Sequence, residues 1–287
     1  MFFPILRIVP FFLVPCTCFF LSCVPAAAPA NARPGLRAWF LDVGQGDACL
    51  LRTPGKQWFL YDIGNEAGSL MAFLRHVRAD TLQAAFISHP DLDHFGALSA
   101  LLRDFPVKKV YLPSGSNPTP AWLGLLRDLD AFEGELDTLF VGDTLIWDGG
   151  IKVRTLWPEP RSTYSANNQS TVLRIEYEGK RILLTGDIED AAENELVDQG
   201  KDLRADILKV AHHGSRTSSG LRFVSEVRPR WAVISCDSSV YGHPHSEAVA
   251  DLALVMGNSA RILRTDREGT IGFEVDEHGI RRVDAWE

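Results

Sequence analysis

Four apolar runs in this chain each lead into residues that bind metals, and that recurrence constrains the fold more than any other feature. Leu82 to Ile87 enters Ser88-His89-Pro90-Asp91-Leu92-Asp93-His94, and Leu183-Leu184-Thr185-Gly186 leads to Asp187. Leu208 to Ala211 leads to His212-His213-Gly214-Ser215, and Ser239-Val240-Tyr241-Gly242 leads to His243-Pro244-His245. Six of the eight histidines lie in these loops, so they are concentrated at strand ends. Imidazole and carboxylate bind divalent metals, and loops leaving strands at one edge of a sheet converge on one pocket. The pattern predicts strand ends brought to a common edge around a metal site. Taken alone, the first cluster has a second explanation: an acidic turn whose Asp91 or Asp93 bonds the free amides of a helix starting near His94.

The rest of the chain reads as short strands alternating with helices. Leu36 to Asp42 alternates as a strand, breaks at Val43-Gly44-Gln45-Gly46-Asp47, and is followed by strands over Ala48 to Thr53 and Gln57 to Ile63, an opening antiparallel meander. Helical spacing covers Ser69 to Val77, Gly96 to Arg103 and Trp122 to Phe132. Gly149-Gly150 and Glu178-Gly179 mark hairpins. Further helices are predicted over Ile188 to Asp198, Ser219 to Val227 and Ser246 to Met256, and a closing pair of strands over Arg261 to Thr265 and Thr270 to Val275. No low-complexity linker interrupts residues 33–287, so they read as one α/β domain of two packed sheets with helices outside.

The first 32 residues differ. Met1 to Val24 carries one charge, Arg7, and the apolar stretch ends at Pro25 to Ala32, where Ala30-Asn31-Ala32 offers a cleavage site; residues 1–32 read as a secretory signal, and the domain as exported, periplasmic or extracellular. Phe20-Leu21-Ser22-Cys23 partly matches a lipobox, so a lipid anchor at Cys23 is an alternative. A chain cleaved after Ala32 keeps only Cys49 and Cys236, too few for a thiolate zinc site, and both read as buried thiols. Net charge is -8, and losing Arg7 makes it -9. That excludes a broad basic surface for nucleic acid but not a nucleic-acid substrate, because two bound cations make a pocket locally positive.

The segments Leu41 to Ala48, Ser88 to Gly96, Asn167 to Ser170, Leu183 to Asp187, Leu208 to Ser215 and Tyr241 to His245, in this order along the chain, resemble metallo-β-lactamase fold hydrolases, and more narrowly the extracellular or periplasmic domain of ComEC competence proteins. The resemblance implies a four-layer αββα sandwich with the site at the shared edge of its sheets. It implies two divalent ions, zinc or manganese, with His89 and Asp91 on one, Asp93 and His94 on the other, and Asp187 bridging. His212 or His213 completes the second site. Neighbours on an extended segment face opposite ways, so His212 is expected as the ligand and His213 as its support or a proton donor. Asp91 replaces a histidine of the wider superfamily and enriches the site in oxygen, which favours harder ions such as manganese.

Other residues each carry two readings. Asn168 and Ser170 contact a metal or substrate oxygen, or bond the backbone of a turn. His243 or His245 donates a proton to a leaving group, or packs at a helix entry. Ser215 and Arg216 follow the His-His pair and are expected to contact a phosphate. Asp47, and likewise Asp62, holds a ligand histidine in its tautomer or bonds local amides. The expected activity is phosphodiester hydrolysis, most naturally in DNA, with Asp93 among the catalytic groups and a metal-bound hydroxide as nucleophile. ComEC proteins carry a polytopic membrane region as well, so a free or lipid-anchored nuclease is expected here. Two rivals stand beside it: a hydrolase of small esters such as phosphorylcholine esters or lactones, and a noncatalytic binding module on the same fold.

Overall fold

The side chains of the first strands divide cleanly. Ala38, Phe40, Leu51, Phe59 and Tyr61 enter one apolar cluster while Trp39, Leu50, Trp58 and Leu60 enter another, as the twofold period of a strand buried on both faces requires. The computed structural model of the protein describes residues 34–115 and 117–286. The expected signal segment and the lipid anchor at Cys23 lie outside the described residues.

The chain builds β1 (Leu36–Phe40), β2 (Cys49–Arg52) and β3 (Trp58–Tyr61), then α1 (Ala67–His76), β4 (Leu82–Phe86), α2 (Leu92–Phe95), α3 (Leu98–Asp104), β5 (Lys109–Tyr111), α4 (Pro120–Leu129) and β6 (Glu135–Asp137). It continues with β7 (Thr144–Ile146), β8 (Lys152–Trp157), β9 (Val172–Tyr177), β10 (Lys180–Leu184), α5 (Asp190–Asp198), β11 (Ile207–Lys209), α6 (Leu221–Val227) and β12 (Trp231–Ile234). The last elements are α7 (Ser246–Met256), β13 (Ile262–Arg264), α8 (Thr265–Glu268), β14 (Ile271–Asp276) and β15 (Gly279–Val283). One sheet has the order β15-β14-β1-β2-β3-β4-β5-β6 and the other β13-β12-β11-β10-β9-β8-β7.

The two sheets face each other across a shared core in which Phe40, Phe59, Phe86 and Phe273 meet Leu173, Ile175, Ile182 and Val233. Behind the first sheet, Leu70, Phe73, Leu98, Leu101 and Trp122 cover Trp39, Leu50 and Leu60 with α1, α3 and α4. Behind the second, Ala192, Leu196, Val224 and Leu252 cover Leu183, Leu208 and Ala232 with α5, α6 and α7. The layers are therefore αββα, as expected. β3 and β4 run parallel, and so do β10, β11 and β12. Their C-terminal ends are where ligands gather in open α/β sheets.

Two expectations need correction, and one strand lies outside the sequence reading. Arg261 to Thr265 and Thr270 to Val275 do not pair: β13 joins β12 in one sheet and β14 joins β1 in the other. The short helix α8 and Gly269, at φ 69°, turn the chain between sheets, a crossover that strand periodicity does not reveal. β6 is exposed along its whole length and has no apolar alternation to announce it. The helix expected from Gly96 is preceded by α2, so Asp93 and His94 stand on a helical turn. Asp91 occupies its N-cap but makes no side-chain cap bond, which removes the cap reading of that residue.

Candidate metal centre

Asp62, directly after β3, organises the first ligands. It is fully buried; its Oδ1 accepts the Ser88 amide at 2.7 Å, and its Oδ2 accepts the Ser88 hydroxyl at 2.8 Å and His94 Nδ1 at 2.9 Å. With its proton given to Asp62, Ser88 Oγ accepts from His89 Nδ1 at 3.0 Å. From the other sheet, His213 Nδ1 donates to the Ser235 carbonyl at 2.9 Å. All three imidazoles thus have Nδ1 committed as donor, which leaves the lone pair of the neutral ring on Nε2.

Those Nε2 atoms point at one another's neighbourhood and at Asp187. His94 Nε2 lies 3.4 Å and His213 Nε2 3.3 Å from Asp187 Oδ2, and His213 Nε2 lies 3.2 Å from Asp93 Oδ2. Ligand atoms of His89, His94 and Asp187 fall within 4.8 Å of one another, and so do those of Asp93, His94 and His213. Nε2 of His89, His94 and His213 and Oδ1 of Asp187 are buried without a hydrogen-bond partner. Buried polar atoms are normally paired. Four orphans facing one space fit a divalent cation, and nitrogen with carboxylate oxygen is the donor set of zinc and manganese.

Asp47 also reaches this space, with Oδ1 3.6 Å from His213 Nδ1 and Oδ2 3.9 Å from His94 Nδ1. Its charge is met by the buried Lys209 ammonium, which pairs with Asp47 Oδ2 and donates to the Val210 carbonyl. The lysine faces Asp47 Oδ2, while Asp47 Oδ1 is buried without a hydrogen-bond partner, and Asp47 forms a further candidate group with Asp187 and His213. Gly46 brings the turn close enough: a Cβ there would meet the Asp93 carbonyl at 2.4 Å, and the residue sits at φ 136°. The Asp47 amide bonds that same carbonyl at 3.1 Å.

The cluster calls for positive charge. Burial pulls His213 down, but Asp187 and Asp47 outweigh it and carry its pKa up to about 10. His94 likewise rises well above its ordinary value, burial being overcome by Asp187, Asp62 and Asp93. Asp187, despite burial, is held well below the usual carboxylate range by His213 and His94. Protons on the rings meet this demand; a cation meets it too, and displaces them as it binds. His243 shifts the other way, to about 4, through burial and the neighbouring rings of His213, His212 and His245.

The structure brings His89, Asp93, His94 and Asp187 together. Asp91 lies at the mouth, Oδ2 3.6 Å from His89 Nε2 and Oδ1 accepting from Asn117 at 2.9 Å. The expectation for the His-His pair rested on an extended chain, and the chain there is not extended. His212 and His213 have φ 47° and 53°, two consecutive left-handed residues, and His213 is the one that joins the candidate ligand groups. His212 stands outside it, Nε2 3.9 Å from Asp187 and Nδ1 3.4 Å from Glu189. Asn168 is engaged within the protein: Oδ1 accepts the Glu189 and Ala192 amides, and Nδ2 donates to Ser165 and Glu189. Ser170 Oγ donates to the Asn167 carbonyl and accepts the Asp187 amide at 3.0 Å, so it holds Asp187 in place. Ser215 bonds Thr217 at 3.1 Å. Arg216 is exposed, and its amide donates to His245 Nδ1 at 3.1 Å. The His243 ring lies 5.7 Å from His212 and 4.9 Å from His245. Lys209 escaped the sequence reading; its only signal is a lysine inside the apolar run Ile207 to Ala211.

Two mixed sheets between helix layers, with a His/Asp cluster where strand ends of both meet, define a protein of the metallo-β-lactamase fold. The family model described as the Metallo-beta-lactamase superfamily matches residues 41–238, and the chain belongs to that superfamily. The chain is 32% identical over 254 residues to ComE operon protein 3 of Bacillus subtilis (strain 168), covering 81% of this chain and 32% of the relative. It is 31% identical over 268 residues to competence protein ComA of Neisseria gonorrhoeae, covering 91% and 35%. The ComEC-type resemblance read from the motifs is thereby borne out, and the chain spans about a third of the length of these curated relatives. Among solved structures, the metallo-beta-lactamase fold protein YhfI from Bacillus subtilis superposes with a TM-score of 0.52 at 14% identity, covering 79% of this chain and 95% of that one. At that identity it shows the fold alone. Among the described residues no helix is long and apolar enough to cross a membrane.

Proposed function

We propose that the protein is an exported, dinuclear metal-dependent phosphodiesterase acting on DNA. The observation that carries the reading is the set of buried, unpartnered ligand atoms on His89, His94, His213 and Asp187, each imidazole already locked through Nδ1. In this reading His89 and Asp91 would hold one ion and Asp93, His94 and His213 the other, with Asp187 serving both. Zinc or manganese bound there supplies water activation and neutralises charge on phosphoryl oxygens.

The chain's own residues prepare that chemistry. Asp62, Ser88 and the Ser235 carbonyl keep three lone pairs turned inward, and Ser170 anchors the Asp187 backbone. His245 accepts the Arg216 amide on Nδ1, so its neutral ring carries the proton on Nε2, where it can bond a leaving oxygen. Arg216 offers a cation to a neighbouring phosphate. DNA as substrate is supported by the competence-protein relatives, and export by the signal-like first 32 residues.

The test uses the full chain loaded with manganese or zinc, offered single-stranded DNA, double-stranded DNA, a phosphorylcholine ester, a lactone and a β-lactam, beside Asp187→Ala. Metal-dependent DNA cleavage that is lost in Asp187→Ala is the expected result. Equal cleavage by wild type and Asp187→Ala sinks the nuclease reading, and a wild type that retains no metal favours a binding module.

A further inference from the structure

Beside the proposed metal centre lies a cleft of about 510 Å³ whose wall includes Asp93 and, with it, Gln45, Asn65, Leu92, Val240 and Tyr241. Two large apolar side chains stand exposed in it, Leu92 at 48% and Tyr241 at 77% of their surface. Leu92 immediately precedes Asp93. The Tyr241 ring lies 6.1 Å from His243, which lies 6.2 Å from His213, so the phenol stands one ring beyond the metal-facing imidazoles. Tyr241 is held at φ 56°, a left-handed conformation costly for a bulky residue, beside Gly242. A glycine or asparagine would relax that turn, and the chain instead presents an aromatic face to solvent.

The chemistry of the wall selects the occupant. No lysine or arginine lines the cleft, and Glu66 does, so away from the ions its wall offers a phosphate no cationic partner. A flat, uncharged ring is not: it stacks on tyrosine, packs on leucine and offers its edge to the carboxamides of Gln45 and Asn65. We infer that this cleft is a nucleobase subsite, in which Tyr241, with Leu92 on the same wall, stacks a base flanking the scissile phosphodiester. The inference rests on the phosphodiesterase reading and names the part of the substrate that the enzyme grips outside the ions.

Stacking of one base is worth about 5- to 150-fold in affinity. The experiment uses the metal-loaded full chain and oligodeoxynucleotides with a single cleavable linkage, carrying either 2-aminopurine or an abasic residue on one side of it or the other. Wild type, Tyr241→Ala and Tyr241→Phe are compared by the ratio of KM values for abasic and base-bearing substrates and by quenching of 2-aminopurine fluorescence on binding. The expected result is a wild-type preference for the base of about 5- to 150-fold in KM, retained in Tyr241→Phe and collapsed, together with the quenching, in Tyr241→Ala. If wild type cleaves both substrates with equal KM, or Tyr241→Ala keeps preference and quenching, the subsite is refuted while the nuclease reading survives. If wild type cleaves neither substrate, the nuclease reading fails and takes the subsite with it.

Discussion

Replacing Asp62 by asparagine tests the ligand arrangement at its root, although Asp62 itself touches none of the orphaned atoms. The carboxylate accepts three hydrogen bonds, from the Ser88 amide, the Ser88 hydroxyl and His94 Nδ1; an amide has one oxygen to offer. If that oxygen faces Ser88 Oγ and His94, the NH2 group meets the Ser88 amide across a 2.7 Å contact, donor against donor. If it faces the Ser88 amide, the NH2 group meets His94 Nδ1, and the ring escapes only by moving its proton to Nε2, where no lone pair then remains for a cation. Partners that orient metal ligands are typically worth 10- to 100-fold in affinity, or about 1.4–2.7 kcal/mol. A buried donor left unpaired costs about 1–3 kcal/mol of stability. At about 2–4 °C per kcal/mol for a domain of this size, Tm falls by roughly 2–12 °C. Zinc titration against a chromophoric chelator measures the first effect, and calorimetry of the metal-free protein the second. Affinity and Tm indistinguishable from wild type would show that the Asp62 network does not set the histidine tautomers.

Three further outcomes follow from the same geometry. His213→Ala loses bound metal and His212→Ala retains it, by elemental analysis after dialysis; the reverse order would restore the extended-chain argument. Lys209→Met strands the buried Asp47 charge and destabilises by about 3–5 kcal/mol; Asp47→Asn added to it recovers most of the loss, which paired urea melts resolve. Burial raises the Glu193 carboxyl from 4.5 to about 8, so between those values the folded state binds more protons than the unfolded one and stability falls as pH rises. Glu193→Gln flattens that slope, and an unchanged pH profile of Tm in the variant would assign the slope elsewhere.

The sandwich was legible because its strands are buried on both faces and punctuated by ligand loops, and the parallel strand ends were legible from where His89, Asp187 and the His-His pair fall. The choice between His212 and His213 was not. It turns on two consecutive left-handed residues followed by Gly214, where a Cβ would meet Pro244 at 2.6 Å, a packing constraint set by a distant loop. Lys209 and Asp47 stand in different halves of the chain and pair only once the sheets face each other. Asn168 carried two readings, and the structure engages its amide with the Glu189 and Ala192 backbone at the entry to α5. The last strands misled because adjacency in sequence resembles a hairpin, whereas α8 redirects the chain.

The proposed ligands come from both sheets: His89, Asp93 and His94 follow β4, Asp187 follows β10, and His213 follows β11. An ion held among them would act as a reversible cross-link between distant stretches of one chain, and because it would bind the folded arrangement and not the unfolded chain it would stabilise the fold by mass action. It also imposes an order of assembly. When β4 and α2 have emerged, His89 and His94 exist without the carboxylate that faces them, and His213 is not positioned until β12 provides the Ser235 carbonyl. On the proposed ligand set a cation would be gripped only after the chain through Ser235 has been made, so metal capture would report late folding rather than guide its first steps.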